Sequence, residues 1–551
     1  MSMKVYFFLI SVAVYSLIFL FNINGVFAGV NLKNGNFYIS YTDVVVPGGQ
    51  KLEVTRTYNS KASKIGWFGY GWGSDYETYL MVSPDGSVVV RENGSGAETR
   101  FVPGDVNAEA AAEKIVKVMK EKANLQEKTA RDMVEKLKND AELRHMYAEK
   151  FEVKSDLASG TTLYATDKGL QEIKRTKDGF DRAYNDGKIE TFNLQGKLVK
   201  ITDKTGYVVN FTYENNILKS IKDSQAKQLF FEWYPDGKIK SAWNTEDKKA
   251  SYKFDNNNNL EESTDIAENI YKYKYDNNHN LTQILYQDKS SMDIKYDPKN
   301  QMVLSVKEKS GIETSYKYGG NDKNPDLHYW TLVTKPGPDG KPVTNRYEYE
   351  LKKKKDGSTF TYRIYTEVNG LKTETIYDEI SQLPSQITRG KQITNFKYNN
   401  KGLLLEKTSS TGESVKLEYD DKINKIKRVV NNDGWTKFEY DKKGNLYKAE
   451  NSAGKAVLLI YDRNGLITTM VDDDKAGGGK DKRRLSFKYN AMGKPVEIVM
   501  ENVGKINVAY DNDGEIKKVE SKEGHKMALE VTQAFQNLLS IVKPAGVNLN
   551  L

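Results

Sequence analysis

Read for the alternation of apolar and polar positions, most of the chain repeats one short theme. In Lys416-Leu417-Glu418-Tyr419 and Lys437-Phe438-Glu439-Tyr440 the two classes alternate with period two. That alternation marks a strand wetter on one face than the other. Each such strand ends on an aromatic residue followed by a turn. The aromatic recurs at Phe192, Tyr213, Tyr234, Phe254, Tyr275, Tyr296 and Tyr318, then at Tyr377, Tyr398, Tyr419, Tyr440, Tyr461, Tyr489 and Tyr510. Successive positions lie 20 to 22 residues apart, except for one interval of 59 and one of 28. A fixed period of this size is the signature of a repeat architecture.

The stretch from Tyr440 to Tyr461 shows the unit. Tyr440 ends a strand, and Asp441 to Gly444 form a turn in which the carboxylate bonds local backbone and glycine takes positive φ. A strand follows around Asn445 to Glu450, Asn451, Ser452 and Gly454 punctuate again, and Ala456 to Tyr461 returns. The same turn chemistry is marked by Asp276, Asp297, Asp378, Asp420, Asp462 and Asp511, and by Gly402, Gly465, Gly493 and Gly514. Hairpins repeated in line predict one long antiparallel sheet that curls with strand twist and draws its stability from neighbouring repeats.

The repeated Tyr-Asp-x-x-Gly-x-Leu/Ile resembles the YD repeat of RHS proteins, bacterial WapA-type wall proteins and teneurins, over roughly Phe192 to Lys522. The resemblance implies a spiralling β-sheet that makes a hollow shell. The array is short for a fully closed shell, so an open or partly closed one is expected equally.

Several segments leave the repeat pattern. Residues 29–104 read as a β-rich module, with Asn34-Gly35-Asn36-Phe37-Tyr38 entering a strand, a turn at Pro47-Gly48-Gly49, and a strand from Lys51 to Tyr58. Gly66-Trp67-Phe68-Gly69-Tyr70-Gly71-Trp72 alternates glycine with rings, which lets backbones approach while the rings pack. It reads either as a structural aromatic cluster that starts the sheet or as a sugar- or peptide-stacking platform. Gly35, Asn36, Asp43, Arg56, Tyr58, Asn59, Gly69, Gly71 and Trp72 resemble the module that precedes RHS repeats. That resemblance implies a place in the N-terminal closure of the shell and no catalytic role.

Residues 105–151 predict a helical hairpin. Ile115, Val118 and Met119 fall at helical spacing in a first helix from Glu109 to Ala123. Asn124 with Glu127 reads as a capping box for a second, carrying Met133, Val134, Leu137 and Ala141 to about Tyr147. It reads as a lid or plug, a partner-binding element, or both. The array of 152–525 is interrupted at Gly319 to Pro325, Pro336 to Gly340 and Lys352 to Lys355, and again at Asp472 to Arg484. These read as loops, either functional or surface excursions. Within 526–551, Met527, Val531, Ala534, Phe535, Leu538, Leu539 and Val542 make an apolar helical stripe that Pro544 stops. That helix either caps the last repeat and its open edge or docks a partner or membrane surface.

At the other end Lys4, the apolar run Val5 to Phe21 and Val26-Phe27-Ala28 read as a secretory signal over 1–28, with an uncleaved anchor as the alternative. After cleavage no integral membrane span is expected. Composition suits a sheet with much wet surface: of 551 residues, 38% are hydrophobic and 29% charged, and 35 are tyrosine. A formal charge of +8, with lysine mixed among acids, reads as a solvated surface, with weak attraction to acidic polymers as the lesser reading and no nucleic-acid partner expected. The absence of cysteine leaves the compartment open.

No catalytic constellation stands out. His145, His279, His328 and His525 are scattered, Asp511-Asn512-Asp513-Gly514 lacks the spacing of a calcium loop, and Gly477-Gly478-Gly479-Lys480 runs into Asp481 where a phosphate loop needs Ser or Thr. No cofactor, metal or catalytic residue is expected. Large RHS proteins carry an Asp-Pro-x-Gly segment that self-cleaves to release a toxin. Here the only Asp-Pro, Asp297-Pro298, runs into Lys299-Asn300, so toxin delivery is not carried over. The expectation is a mainly β, exported, non-catalytic scaffold that encloses, presents or binds an envelope protein or glycan. A surface adhesin or carbohydrate binder is the first alternative and a glycan-active enzyme the second.

Overall fold

The computed structural model describes residues 28–542, apart from 47–51, 63, 93–96, 105, 166–169, 205, 246–247, 356, 475–482, 492 and 512–515. The signal segment before Ala28, the turn Pro47-Gly48-Gly49, the glycine run 477–479 with Lys480, the 512–514 part of the calcium-like stretch and Pro544 lie outside the described residues.

A single sheet of 33 strands, from Thr162–Ala165 to Ile516–Glu520, runs in strict sequence order. Every pair is antiparallel, and among the described residues the first and last strands do not pair, so the sheet is unclosed. In the unit Gly434–Tyr440, Leu446–Asn451, Lys455–Tyr461 the Asp441 carboxylate accepts from the N–H groups of Lys443 (2.8 Å) and Asn445 (2.9 Å). Gly444, at φ +82°, closes the turn in the left-handed region. The register then slips at Tyr440, where Tyr447 is bulged out of the ladder.

That bulge recurs at each repeat aromatic from Phe192 to Tyr510 except Tyr234 and Tyr318. It also corrects one expected repeat position. Trp233, not Tyr234, sits at the bulge and donates from Nε1 to the Leu218 carbonyl at 2.7 Å. Tyr234 takes the turn position filled elsewhere by aspartate, its N–H donating to Lys238 O.

The turns expected after Tyr318 form at 321–327, 337–341 and 354–355, but ladder strands and not long loops join them. Strands His328–Pro336, Pro342–Lys353 and Thr359–Val368 continue the meander with some of its longest members.

The sheet winds back on itself. Gln225, in a turn near its start, donates from Nε2 to the Ala491 carbonyl, 266 residues on, at 2.8 Å. At 4.7–4.9 Å per strand these turns would lie on the order of 100 Å apart in a flat sheet. The contact therefore brings a late part of the sheet back against an early one, as accumulated strand twist allows.

Two cores cover one face of the coil. In the first, Phe37, Ile39, Tyr58, Phe68 and Trp72 of the N-terminal module pack with sheet residues from Leu163 to Val306. In the second, helix α4 (His525–Val542) lays Met527, Val531, Ala534 and Ile541 on strands between Val415 and Val508. The helix thus covers a sheet face, where the sequence pattern alone points to a cap on the open edge.

The insertion folds as three helices, not two: α1 (Ala108–Ala123), α2 (Glu127–Asn139) and α3 (Ala141–Lys150). Asn124 ends α1 in the left-handed region and Gln126 precedes α2 without a side-chain cap, so the Asn124–Glu127 capping box does not form. Asp140 breaks the second segment by capping Leu143 N–H at 2.9 Å, and the Ala141 N–H donates to Gly357 O at 3.3 Å. A Cβ at Gly357 would lie 2.5 Å from the Asn139 carbonyl carbon, so glycine permits this approach. On α1, Val116 rather than Val118 is buried with Ile115 and Met119.

Candidate functional site

The residues of the N-terminal module converge on the sheet. Asp43 and Arg56 form a buried ion pair at 2.7 Å (Nε–Oδ2). Tyr252 O–H donates to Asp43 Oδ2 at 2.9 Å, and Arg56 Nη2 donates to Ser263 Oγ at 2.8 Å. The Arg56 guanidinium lies 4.7 Å from the ring centres of both Tyr41 and Trp72, and Trp72 Nε1 donates to Tyr275 Oη at 2.9 Å. Burial acts against the charges of the pair. At Arg56 burial is the largest single effect, but Asp43, Tyr273 and Tyr252 together outweigh it and hold the proton more tightly than in water, whereas at Asp43 burial prevails and raises the pKa. Asp43 Oδ1 and Arg56 Nη1 have no hydrogen-bond partner. With no solvent access, the cluster is a latch between module and sheet.

The other module residues extend that latch. Tyr58 O–H donates to His279 O at 3.0 Å and accepts from Leu281 N–H at 2.9 Å. Asn36 Oδ1 accepts from Ser60 Oγ, Asn59 N–H donates to Gly71 O, Gly35 O accepts from Val303 N–H, and Tyr70 N–H, beside Gly69, donates to Asn258 O. The turn residues do not gather into a site. The aspartates at 276, 297, 378, 420, 441 and 462 each accept local backbone N–H groups along the rim.

A cleft of about 530 Å³ opens between the module and the rim of the sheet. Its walls are Trp67, Tyr76 and Tyr79 from the module and Tyr213, Ile217 and Trp233 from the repeats, with Lys64 and Lys197 also lining it. Trp67 and Trp233 meet edge to face at 5.3 Å. Glu77 is the one carboxyl among the described lining residues. Burial pushes its pKa up to about 8, although its two oxygens accept the N–H groups of Trp67 and Ser74 at 2.8 Å. Sequence reasoning passed over Glu77. Its signal was present as Ser74-x-x-Glu77, a capping box that the structure forms.

Between the two cores lies a bare stretch of sheet. No residue of strands Leu371–Tyr377, Pro384–Arg389, Gln392–Tyr398 or Leu404–Ser409 is buried. Its faces follow from the register. Thr331 donates to Leu32 O of the module and so marks the module side. Directly opposed partners carry that face from Thr331 to Tyr347, Thr366, Thr373 and Arg389. From the far side, buried Val415 opposes Lys407, which opposes Phe396. The module-side face therefore presents Thr375, Ile387, Arg389, Thr394, Phe396 and Lys407, and no described element buries it. The opposite face holds an ionic network in which Arg363 meets Glu350 (3.0 Å) and Glu374 (3.1 Å), and Glu348 meets Arg346 and His328.

Residues 28–101 match the family described as a domain of unknown function, DUF6531. No curated protein matches the chain. Among solved structures, the chain is similar to a TcdB2–TccC3 crystal structure, at 11% identity and a TM-score of 0.37, over 90% of this chain and 30% of that one. It is also similar to the Tc holotoxin pore of Photorhabdus luminescens, at 10% identity and a TM-score of 0.35, over 89% and 30% of the two chains. A porin-like protein from Bacteroides uniformis is similar at 11% identity and a TM-score of 0.13, over 45% of this chain and 88% of that one. The chain thus spans about 30% of the length of the first two structures.

Proposed function

We propose that this chain is an exported, non-catalytic scaffold whose coiled sheet encloses or binds another molecule. One observation carries the reading: a bare strip of sheet, between two covered regions, lies on the same face that the module and helix α4 cover on either side, called the inner face below. A sheet face half-wet and rich in rings and threonines suits a ligand or partner that completes its cover. The YD-type repeat pattern and the leader-like first 28 residues support a shell that works outside the cytoplasm. Among the described residues no helix is long and apolar enough to cross a membrane.

The test is photo-cross-linking in the native cell, with the photoreactive residue at Phe396 on the inner face or at neighbouring Lys397 on the outer face. Adducts from position 396 alone support enclosure. Adducts from neither position, or equally from both, count against it.

The cleft favours the carbohydrate-binding alternative as a second reading, because flat aromatic walls beside lysines suit a sugar ring. Trp67→Ala abolishing retention on an envelope-glycan column would support it. Unchanged retention would remove it.

A further inference from the structure

The charges on the bare strip are one-sided. Arg389 and Lys407 lie on the module-side face, through the pairings Thr373 to Arg389 and Phe396 to Lys407 to Val415. No glutamate or aspartate shares that face on the four bare strands: Glu374 opposes Tyr365, and Glu406 opposes Lys397, both on the other side. Adjoining strands follow the same rule, with Glu348 and Glu367 on the outer face opposite Tyr365 and Arg346. Outer acids are matched by bases, as in Lys397 with Glu406 at 2.7 Å and Arg363 with Glu374 at 3.1 Å. On these four strands the inner face has cations and, among the described residues, no acid to match them, set among Ile387, Phe396 and Tyr398.

We propose that the bare inner strip of strands 371–409 is the docking surface for an acidic polypeptide segment. Its carboxylates would pair with Arg389 and Lys407, and its apolar side chains would pack on Ile387 and Phe396. The proposal rests on the scaffold reading and names the class of its partner. Charge complementarity selects the occupant: a basic segment would meet uncompensated cations, and like charges across an interface are strongly disfavoured. A neutral glycan would leave both cations unpaired.

The full chain is titrated with fluorescent random copolymers of Glu and Tyr and of Lys and Tyr, read by anisotropy. The acidic copolymer binds and the basic one does not, and binding weakens with added salt because the cations are solvent-accessible. Arg389→Glu with Lys407→Glu weakens binding about tenfold or more. Lys372→Glu on the outer face leaves it unchanged. Arg389→Gln, a mild change at an exposed position, keeps the test valid if the double variant misfolds, and it too weakens binding.

Equal binding of the two copolymers, no binding of the acidic one, or indifference to Arg389 and Lys407 overturns the proposal. Adducts at position 396 that prove to be basic or neutral partners overturn it while leaving the scaffold reading intact. Absence of adducts there defeats the scaffold reading itself.

Discussion

The hydroxyl of Tyr461 donates to the carbonyl of Leu446 at 2.7 Å, fifteen residues back on the adjacent strand. The backbone ladder between those strands begins only at Lys448, because the bulge at Tyr447 has pushed Leu446 out of register. The side chain thus ties the strands where the ladder has run out. The same bond recurs from Tyr213, Tyr275, Tyr296, Tyr318, Tyr419, Tyr489 and Tyr510. It gives a physical reason for the repeat to prefer tyrosine.

Tyr461→Phe removes that donor and keeps the ring. The carbonyl is then left unsatisfied in a half-buried setting, at a cost of about 1 kcal/mol. A lower urea midpoint with an unchanged slope is the expected result. No shift would mean that water replaces the bond.

Arg56→Met leaves Asp43 buried without its cation. Loss of one partner of a buried pair costs on the order of 3–5 kcal/mol. The loss is expected in the unfolding of the module together with strands 239–284, because Arg56 also holds Ser263. Thermal unfolding followed by hydrogen exchange measures it. A change confined to the module would show that the latch does not couple the two.

Glu77 makes stability depend on pH. Its folded pKa is raised to about 8 from the ordinary glutamate value of 4.5, so between these values the folded state holds a proton that the unfolded chain has released. Stability from this group is therefore full below about pH 4.5 and declines as pH rises towards 8. Glu77→Gln flattens that decline while lowering stability overall, since an amide nitrogen cannot accept from the backbone. Denaturation across this range in both proteins is the measurement, and parallel curves would refute the assignment.

Met527 is fully buried beneath α4. Met527→Ala leaves a cavity and costs roughly 2–5 kcal/mol. The last strands are then expected to lose protection against protease before the first ones do. Uniform protection would mean that the helix is dispensable to the sheet it covers.

Sequence by itself determined the repeat, the turn and the antiparallel order, because all three depend on neighbours within about twenty residues. Asp441, Gly444 and Tyr440 act on backbone close by, and alternation of apolar and polar residues states which face is wet. The one-residue error at Tyr234 is of the same local kind: two adjacent aromatics fit the spacing, and only the bulge distinguishes them.

What the tertiary structure alone decided is where distant parts meet. That Asp43 pairs with Arg56 across Tyr252 and Ser263, that α3 begins against Gly357, and that Gln225 touches Ala491 depend on the accumulated twist of many strands. Each strand adds a small rotation that no short window of sequence displays. Their sum sets the coil, brings Trp67 to Trp233, and leaves the strip around Arg389 and Lys407 uncovered on its inner side.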